Sequence, residues 1–332
     1  ATTTYTSTTF DSNSNKVVVS YVDNGNSSYG TAIVGTVSGA SISFGTPVVF
    51  ESAEVYYTKS VFDSNSDKVV ISYTDNGNSG YGTAIVGTVS GTSISFGTAV
   101  VFESADTVQL SSTFDSNSNK VLIAYRDVGN SGYGTAIVGT VSGTSISFGS
   151  PVVYQTSTGT EGAGAFDSLN NKLVIAYRDT ANSTYGTAVV GTVSGTSISF
   201  GSPVVFESAD CEYVSAAYDA GAGRVLIAYQ DNGNSGYGTA IVGTVSGTSI
   251  SFAYINYTAT TFDSSSNKIV IAYRDTGNSN YGTVIVGTIS GTSISFDTPV
   301  VFEDGSAASM SAAFDSSSNK VVISYMDGGN SN

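Results

Sequence analysis

The chain has 332 residues, with 11 basic and 26 acidic side chains and a net charge of −15. A field of that sign repels phosphate backbones and anionic lipid surfaces, which excludes nucleic acid and membrane insertion. With no histidine and only Cys211, zinc sites, disulfides within the chain and Ser-His or Cys-His nucleophile systems cannot be assembled.

No apolar run approaches the roughly 18 residues of a spanning helix. The start at Ala1 carries no leader-like segment, which implies a leader removed or not included. The Ser, Thr, Asn and Gly richness points to an extracellular, cell-surface or virion protein. Asn26-Ser-Ser, Asn182-Ser-Thr and Asn256-Tyr-Thr fit the glycosylation sequon, as chance matches do in so Asn- and Ser-rich a chain. Helix signals are missing, and 38 glycines with 21 tyrosines predict many short strands between turns.

The first predicted hairpin, FDSNSNKVVVSY from Phe10, returns with small changes at Phe62, Phe114, Phe166, Tyr218, Phe262 and Phe314, so the spacings are 52, 52, 52, 52, 44 and 52. A fixed period means that length counts repeats here and not independent domains. Four strand-like segments fill the second period: VYYTKSVF (55–62), KVVISYT (68–74), YGTAIVGTV (81–89) and SISFGTAVVFE (93–103). The intervening DSNSD, DNGNSG and SGT tolerate tight or left-handed backbone, so each repeat is a four-stranded antiparallel meander. Val69 to Tyr73 is apolar at nearly every residue, which requires burial on both faces. Sheets covered on both sides by copies of themselves are propeller blades. The expected fold is all-β, a single seven-bladed β-propeller domain over 1–332, with blades at about 1–52, 53–104, 105–156, 157–208, 209–252, 253–304 and, incomplete, 305–332.

Two irregularities interrupt the pattern. The seventh copy stops within DGGNSN, so further repeat sequence or another molecule would supply its third and fourth strands. The 44-residue period lacks the block that reads GTPVVFES elsewhere, so either an outer strand is truncated or residues are missing between Phe252 and Ala253. A separation of about 3.8 Å between their Cα atoms is the mark of a true junction.

The cadence of FDSNSNKVVISYTDNGNSGYGTAIVG resembles a WD-type blade without that family's Trp-Asp and Gly-His signatures. The repeats VGTVSGTSISFGTPVVFES and FDSNSNKVVIAY also resemble those of large tail and surface proteins of marine bacteriophages and marine bacteria, over the whole chain. The resemblance implies a structural or receptor-binding role at a virion or cell surface.

Differences among the copies map tolerance within one chain. Variation concentrates just before each hairpin, where Tyr5, Tyr57, Gln109, Glu161, Tyr213, Tyr257 and Ser309 occupy one register position. A second variable position holds Val22, Thr74, Arg126, Arg178, Gln230, Arg274 and Met326. Both fall on one face of a propeller, around the mouth of its channel, where partners commonly bind. The predicted ligand-binding residues are therefore Tyr5, Tyr57, Gln109, Glu161, Tyr213, Tyr257, Arg126, Arg178 and Arg274, a set suited to a cell-surface glycan or protein receptor.

The constant Asp23, Asp75, Asp127, Asp179, Asp231, Asp275 and Asp327 of D-x-G-N-S-x-Y-G resemble the Asp box of sialidase propellers, with Tyr in place of Trp one residue late. Seven symmetric copies argue for a turn-closing acceptor and against catalysis. A sialidase-type site would draw on Arg126, Arg178 and Arg274 with Tyr257 or Tyr213 beside Glu161. The DSNSN turn, Asp11 to Asn15, lacks the glycine and distal glutamate of a calcium loop. The sequence thus predicts a binding or adhesion module with no enzymatic activity, no cofactor and no metal. The alternative is a structural propeller whose unfinished blade is completed by another chain.

Overall fold

The computed structural model describes residues 2–39, 41–158, 160–221, 223–252, 255–275, 278–290 and 293–328, with side chains for all of these except 160–161, 255–260, 289–290, 293–294 and 308–310. The chain forms two compact units, Ala1–Ile250 and Ser251–Asn332.

In the first unit the chain repeats one antiparallel course. The second copy runs along Val48–Asp63, returns along Lys68–Asp75, advances along Tyr81–Ser90 and returns along Ser93–Phe96 before entering Val100–Asp115. The segment read from sequence as a variable connection is no loop. Val48–Asp63 is one 16-residue strand whose first half pairs with Tyr29–Ser38 of the preceding repeat and whose second half pairs with Lys68–Asp75 of its own. Val-Val-Phe on one side and alternating apolar residues on the other keep the backbone extended through the crossing. In the first four repeats the fourth strand is therefore built from two pieces, in the second repeat Ser93–Phe96 and the start of Val100–Asp115, both laid against Tyr81–Ser90.

The two-sided burial expected of the second strand is present. Val69, Ile71 and Tyr73 point into a core with Val18, Val34 and Phe50 of the first repeat. Val70 points the other way, into a core with Val121, Ile123 and Tyr125 of the third. Period-two alternation thus serves two cores at once, and consecutive repeats share every apolar layer.

A specific clasp closes each shared layer. The fourth-strand aromatic of one repeat packs between the second-strand tyrosine and the short-strand phenylalanine of the next. Ring centroids lie 5.2 and 5.8 Å apart for Phe50 with Tyr73 and Phe96, and 5.3 and 5.6 Å for Phe102 with Tyr125 and Phe148. The glutamate after the aromatic accepts the tyrosine hydroxyl, Tyr73 to Glu51 at 3.2 Å, Tyr125 to Glu103 at 3.0 Å and Tyr229 to Glu207 at 2.9 Å. Burying each such aromatic contributes about 2 kcal/mol, and the buried hydroxyl keeps its hydrogen bond.

The second unit carries Ile255–Asp263, Lys268–Asp275, Tyr281–Ser290, Ser293–Phe296, Val300–Asp315 and Lys320–Asp327 in the same antiparallel order. Its clasp joins Phe302 to Tyr325 at 5.2 Å, with the Tyr325 hydroxyl donating to Glu303 at 2.7 Å. The division between units falls at the 44-residue repeat, whose missing GTPVVFES block is the segment that carries the clasp aromatic and glutamate elsewhere. The Phe252 to Ala253 junction itself lies outside the described residues.

Candidate functional site

The first variable position has a backbone of its own. Tyr5, Tyr57, Gln109 and Tyr213 have φ of 49°, 51°, 57° and 52°, in the left-handed region that side chains other than glycine rarely enter. The pairing shows why. Tyr56 faces Thr74 and Lys59 faces Ser72, so Tyr57 and Thr58 together oppose the single residue Tyr73. The same skip lies between Thr4 and Ser7, between Thr160 and Ala163, and between Glu212 and Ser215. In the second unit it lies between Asn256 and Ala259 and between Ala308 and Ser311. Each of these innermost strands thus carries a bulge, and Tyr5, Tyr57, Gln109 and Tyr213 are the left-handed members, re-aimed out of the ladder.

In the first unit these bulges converge. Tyr5, Tyr57, Gln109 and Tyr213 line one cavity of about 380 Å³, together with Lys59, Leu110 and the Gly162 backbone. The Tyr5 and Tyr57 rings lie 4.8 Å apart, and Tyr56 meets Tyr5 edge-on at 5.9 Å. Thr58 donates its hydroxyl to the Tyr5 carbonyl, tying the first innermost strand to the second. Burial, and next the neighbouring Tyr5 hydroxyl, push the Tyr57 phenol above its ordinary value, while Arg126 pulls the other way. The cavity wall presents phenol rings, a carboxamide and the Lys59 side chain. The Gln109 amide oxygen is buried there without a hydrogen-bond partner. A second cavity of about 330 Å³ shares Lys59, Gly162 and Val214 with the first and is lined by Ser7, Ser60, Ser111, Ser112 and Ser215. An aromatic mouth thus leads into a hydroxyl-rich throat.

The second variable position behaves differently. Thr74 donates to the Thr107 carbonyl at 2.6 Å, and Gln230 donates to Asn232 at 2.8 Å. Arg178 binds Asp210, with both Nε and Nη2 at 2.7 Å from Oδ1, and Arg274 donates through Nε to Asn280 at 3.1 Å. Arg178, Gln230 and Arg274 thus bind within their own sheets, while Thr74 reaches a strand segment paired with the third repeat. Val22 is buried and Met326 is half exposed. Of the remaining predicted site residues, Glu161 and Tyr257 lie in strands Thr160–Asp167 and Ile255–Asp263, with side chains outside the described set.

The constant aspartates close their own turns. Asp23 accepts from the Gly25 amide at 3.0 Å, and Asp75, Asp127 and Asp231 accept from Asn78, Asn130 and Asn234 at 3.1 Å. In the DSNSN turn, Asp11 accepts from the amides of Asn13 and Ser14, both at 3.0 Å. These carboxylates are committed to backbone donors. Among the described residues no group of three His, Cys, Asp or Glu side chains is arranged to hold a metal. No helix among them is long and apolar enough to cross a membrane.

Sequence reasoning missed two features. The bulge leaves no mark because its position is filled by Tyr and Gln, not by the glycine that normally signals left-handed backbone. The clasp had a signal, since Phe-Glu and the second-strand tyrosine recur 22 residues apart in Glu51 and Tyr73, Glu103 and Tyr125, and Glu207 and Tyr229.

No family model matches the chain, and no curated protein matches it in sequence. Solved structures do match its fold. The BP39L lectin from Burkholderia pseudomallei superposes with a TM-score of 0.59 at 10% identity, over 98% of this chain and 92% of that one. A protein from Lactobacillus plantarum gives 0.53 at 11% identity, over 90% and 86%. The periplasmic gluconolactonase PpgL from Pseudomonas aeruginosa gives 0.53 at 10% identity, over 96% and 87%. The chain therefore has an all-β, propeller-like repeat fold of four-stranded antiparallel units. The expectation that it has no enzymatic activity is corrected by the third likeness: a gluconolactonase is built on this fold as well as a lectin, so the architecture is open to catalysis.

Proposed function

We propose that the chain is a carbohydrate-binding protein whose site is the cavity ringed by Tyr5, Tyr57, Gln109 and Tyr213. The observation that carries this reading is the convergence of a variable position of the repeats, on bulges, into one cavity walled by phenol rings. Tyrosine faces stack on the apolar faces of sugar rings, and their hydroxyls with the Gln109 carboxamide and the seryl throat supply hydrogen-bond partners. The lectin among the structural neighbours supports the ligand class, and the gluconolactonase supports the same chemistry of substrate. Its periplasmic setting, with the Ser-, Thr- and Asn-rich surface, supports a location outside the cytoplasm. Display on a cell surface or virion, with the seven repeats as the blades of one propeller, accords with the resemblance of the repeats to tail and surface proteins.

A glycan array followed by calorimetric titration of the best hit tests the site. Tyr57→Ala is expected to weaken binding by about tenfold or more through loss of ring stacking. Wild-type affinity in Tyr57→Ala and Tyr213→Ala would refute the assignment. Mass analysis of the bound sugar after incubation reads turnover in the same experiment.

A further inference from the structure

The fourth repeat departs from its neighbours at one corner. Elsewhere a Cβ on the turn glycine Gly77, Gly129 or Gly233 would fall 2.3 Å from the methyl of Ala53, Ala105 or Ala209, so glycine and alanine close that corner together. At the matching positions of the fourth repeat stand Ala181 and Ser157. The extra methyl does not fit so narrow a gap, and the turn takes another form. The short helical turn of Asn76–Asn78, Val128–Asn130 and Asn232–Asn234 has no counterpart after Lys172–Asp179. The Asn182 amide donates to the Asp179 carbonyl at 3.2 Å, where Gly80, Gly132 and Gly236 donate to Asp75, Asp127 and Asp231 at 2.8 Å.

The clasp changes at the same corner. Tyr154-Gln155 replaces Phe-Glu, and the Tyr154 and Tyr177 rings lie 5.4 Å apart. Glu51, Glu103 and Glu207 accept a tyrosine hydroxyl, whereas Gln155 donates through Nε2 to Ser157 at 2.7 Å and to Asp179 at 3.1 Å. That orientation leaves Oε1 buried without a hydrogen-bond partner, on a residue only 6% exposed. A buried acceptor of this kind is costly to leave unmet. A cavity of about 200 Å³ opens here, lined by Tyr154, Gln155, Tyr177, Asp179, Ala181 and Pro203 among others. Among the described residues no basic side chain forms an ion pair with Asp179.

We propose that this cavity is a second binding site, for a small alkylammonium group. A buried acceptor, a carboxylate with no cation of its own and two tyrosine rings are together the complement of a cation that carries N–H donors. The ammonium donates to Gln155 Oε1 and to Asp179, and its alkyl part lies against the tyrosines and Pro203. A neutral hydroxyl would meet the acceptor and leave the carboxylate unneutralised, and Asp179 repels an anion. The net charge of −15 draws cations toward the chain. The site shares no lining residue with the cavity of Tyr5 and Tyr57 and does not depend on the sugar reading.

The probe is n-butylammonium, with n-butanol and butyrate as neutral and anionic controls, titrated against the full chain at low salt. In heteronuclear NMR spectra the Gln155 side-chain amide is expected to shift saturably with n-butylammonium and with neither control. Gln155→Met removes the acceptor, and Ala181→Leu fills the cavity from an exposed turn. Calorimetry is expected to show binding weakened about tenfold or more in each, with melting curves checking that both stay folded. Binding of Nα-acetyl-lysine amide as well would identify a lysine side chain as a source of the group, and binding of n-butylammonium alone a free amine. Equal binding of n-butanol, an unmoved Gln155 amide, or undiminished affinity in a folded Ala181→Leu variant would overturn the proposal.

Discussion

At the scale of single residues the site rests on backbone strain. Tyr213 is 67% exposed and holds a φ of 52°, so its cost is set by the backbone more than by packing. A non-glycine residue in this region costs about 1 kcal/mol or more, and a β-branched one costs more still. Tyr213→Gly is expected to leave stability unchanged or raise it by up to about 1 kcal/mol, the relief of strain being partly offset by the freer unfolded chain. Tyr213→Val is expected to lower it by about 1 to 2 kcal/mol. Urea unfolding midpoints rank the three proteins, and equal midpoints for the valine and glycine variants would show that the bulge carries no strain. Tyr5, Tyr57, Gln109 and Tyr213 stand where glycine would be easier, which is what the proposed sugar site requires of them.

At the scale of elements the controlling fact is how closely neighbouring repeats approach. Gly97 follows the short strand Ser93–Phe96, and a Cβ there would stand 1.9 Å from the carbonyl oxygen of Thr144 in the next repeat. Gly45, Gly149 and Gly201 meet Thr92, Thr196 and Thr248 in the same way. The obstacle is backbone, which cannot turn aside as a side-chain tip can. Gly97→Ala is therefore expected to destabilise by about 3 kcal/mol, visible as a clear drop in the unfolding midpoint. A midpoint unchanged by the extra methyl would mean that the repeats slide apart without cost. The period, the four strands and the two-sided core were legible in the sequence, because repetition and alternation are written directly in residues such as Val69 to Tyr73. The continuity of Val48–Asp63 was not, since it depends on pairing with two different repeats, nor was the bulge at Tyr57, which depends on the register against Lys68–Asp75. The site was legible only as variation: comparing copies isolated Tyr5, Tyr57, Gln109 and Tyr213, while the inward turn of Arg178 onto Asp210 needed coordinates.

At the scale of the whole molecule the tyrosines fall into two populations with opposite duties. Those of the cavity and of the outer third-strand starts meet solvent, as Tyr5, Tyr213 and Tyr237 do. Tyr73, Tyr125 and Tyr177 are buried in the layers between repeats, and burial pushes their phenols well above the ordinary value, helped at Tyr73 and Tyr125 by Glu51 and Glu103. Tyr154 is raised in the same way by burial alone. A phenol whose folded value exceeds its unfolded value, near 10, contributes stability that is complete below that pH and is lost as pH rises beyond it. Because the layers of Tyr73, Tyr125 and Tyr177 each use such a tyrosine, the loss is summed over them. Alkaline titration of the 21 tyrosines is followed by phenolate absorbance, with near-ultraviolet dichroism reporting the packing. The buried part is expected to ionise only together with the collapse of that dichroism, at higher pH. A single reversible step near pH 10 that includes all tyrosines and leaves the dichroism unchanged would mean that the layers between repeats do not depend on the protonated clasp.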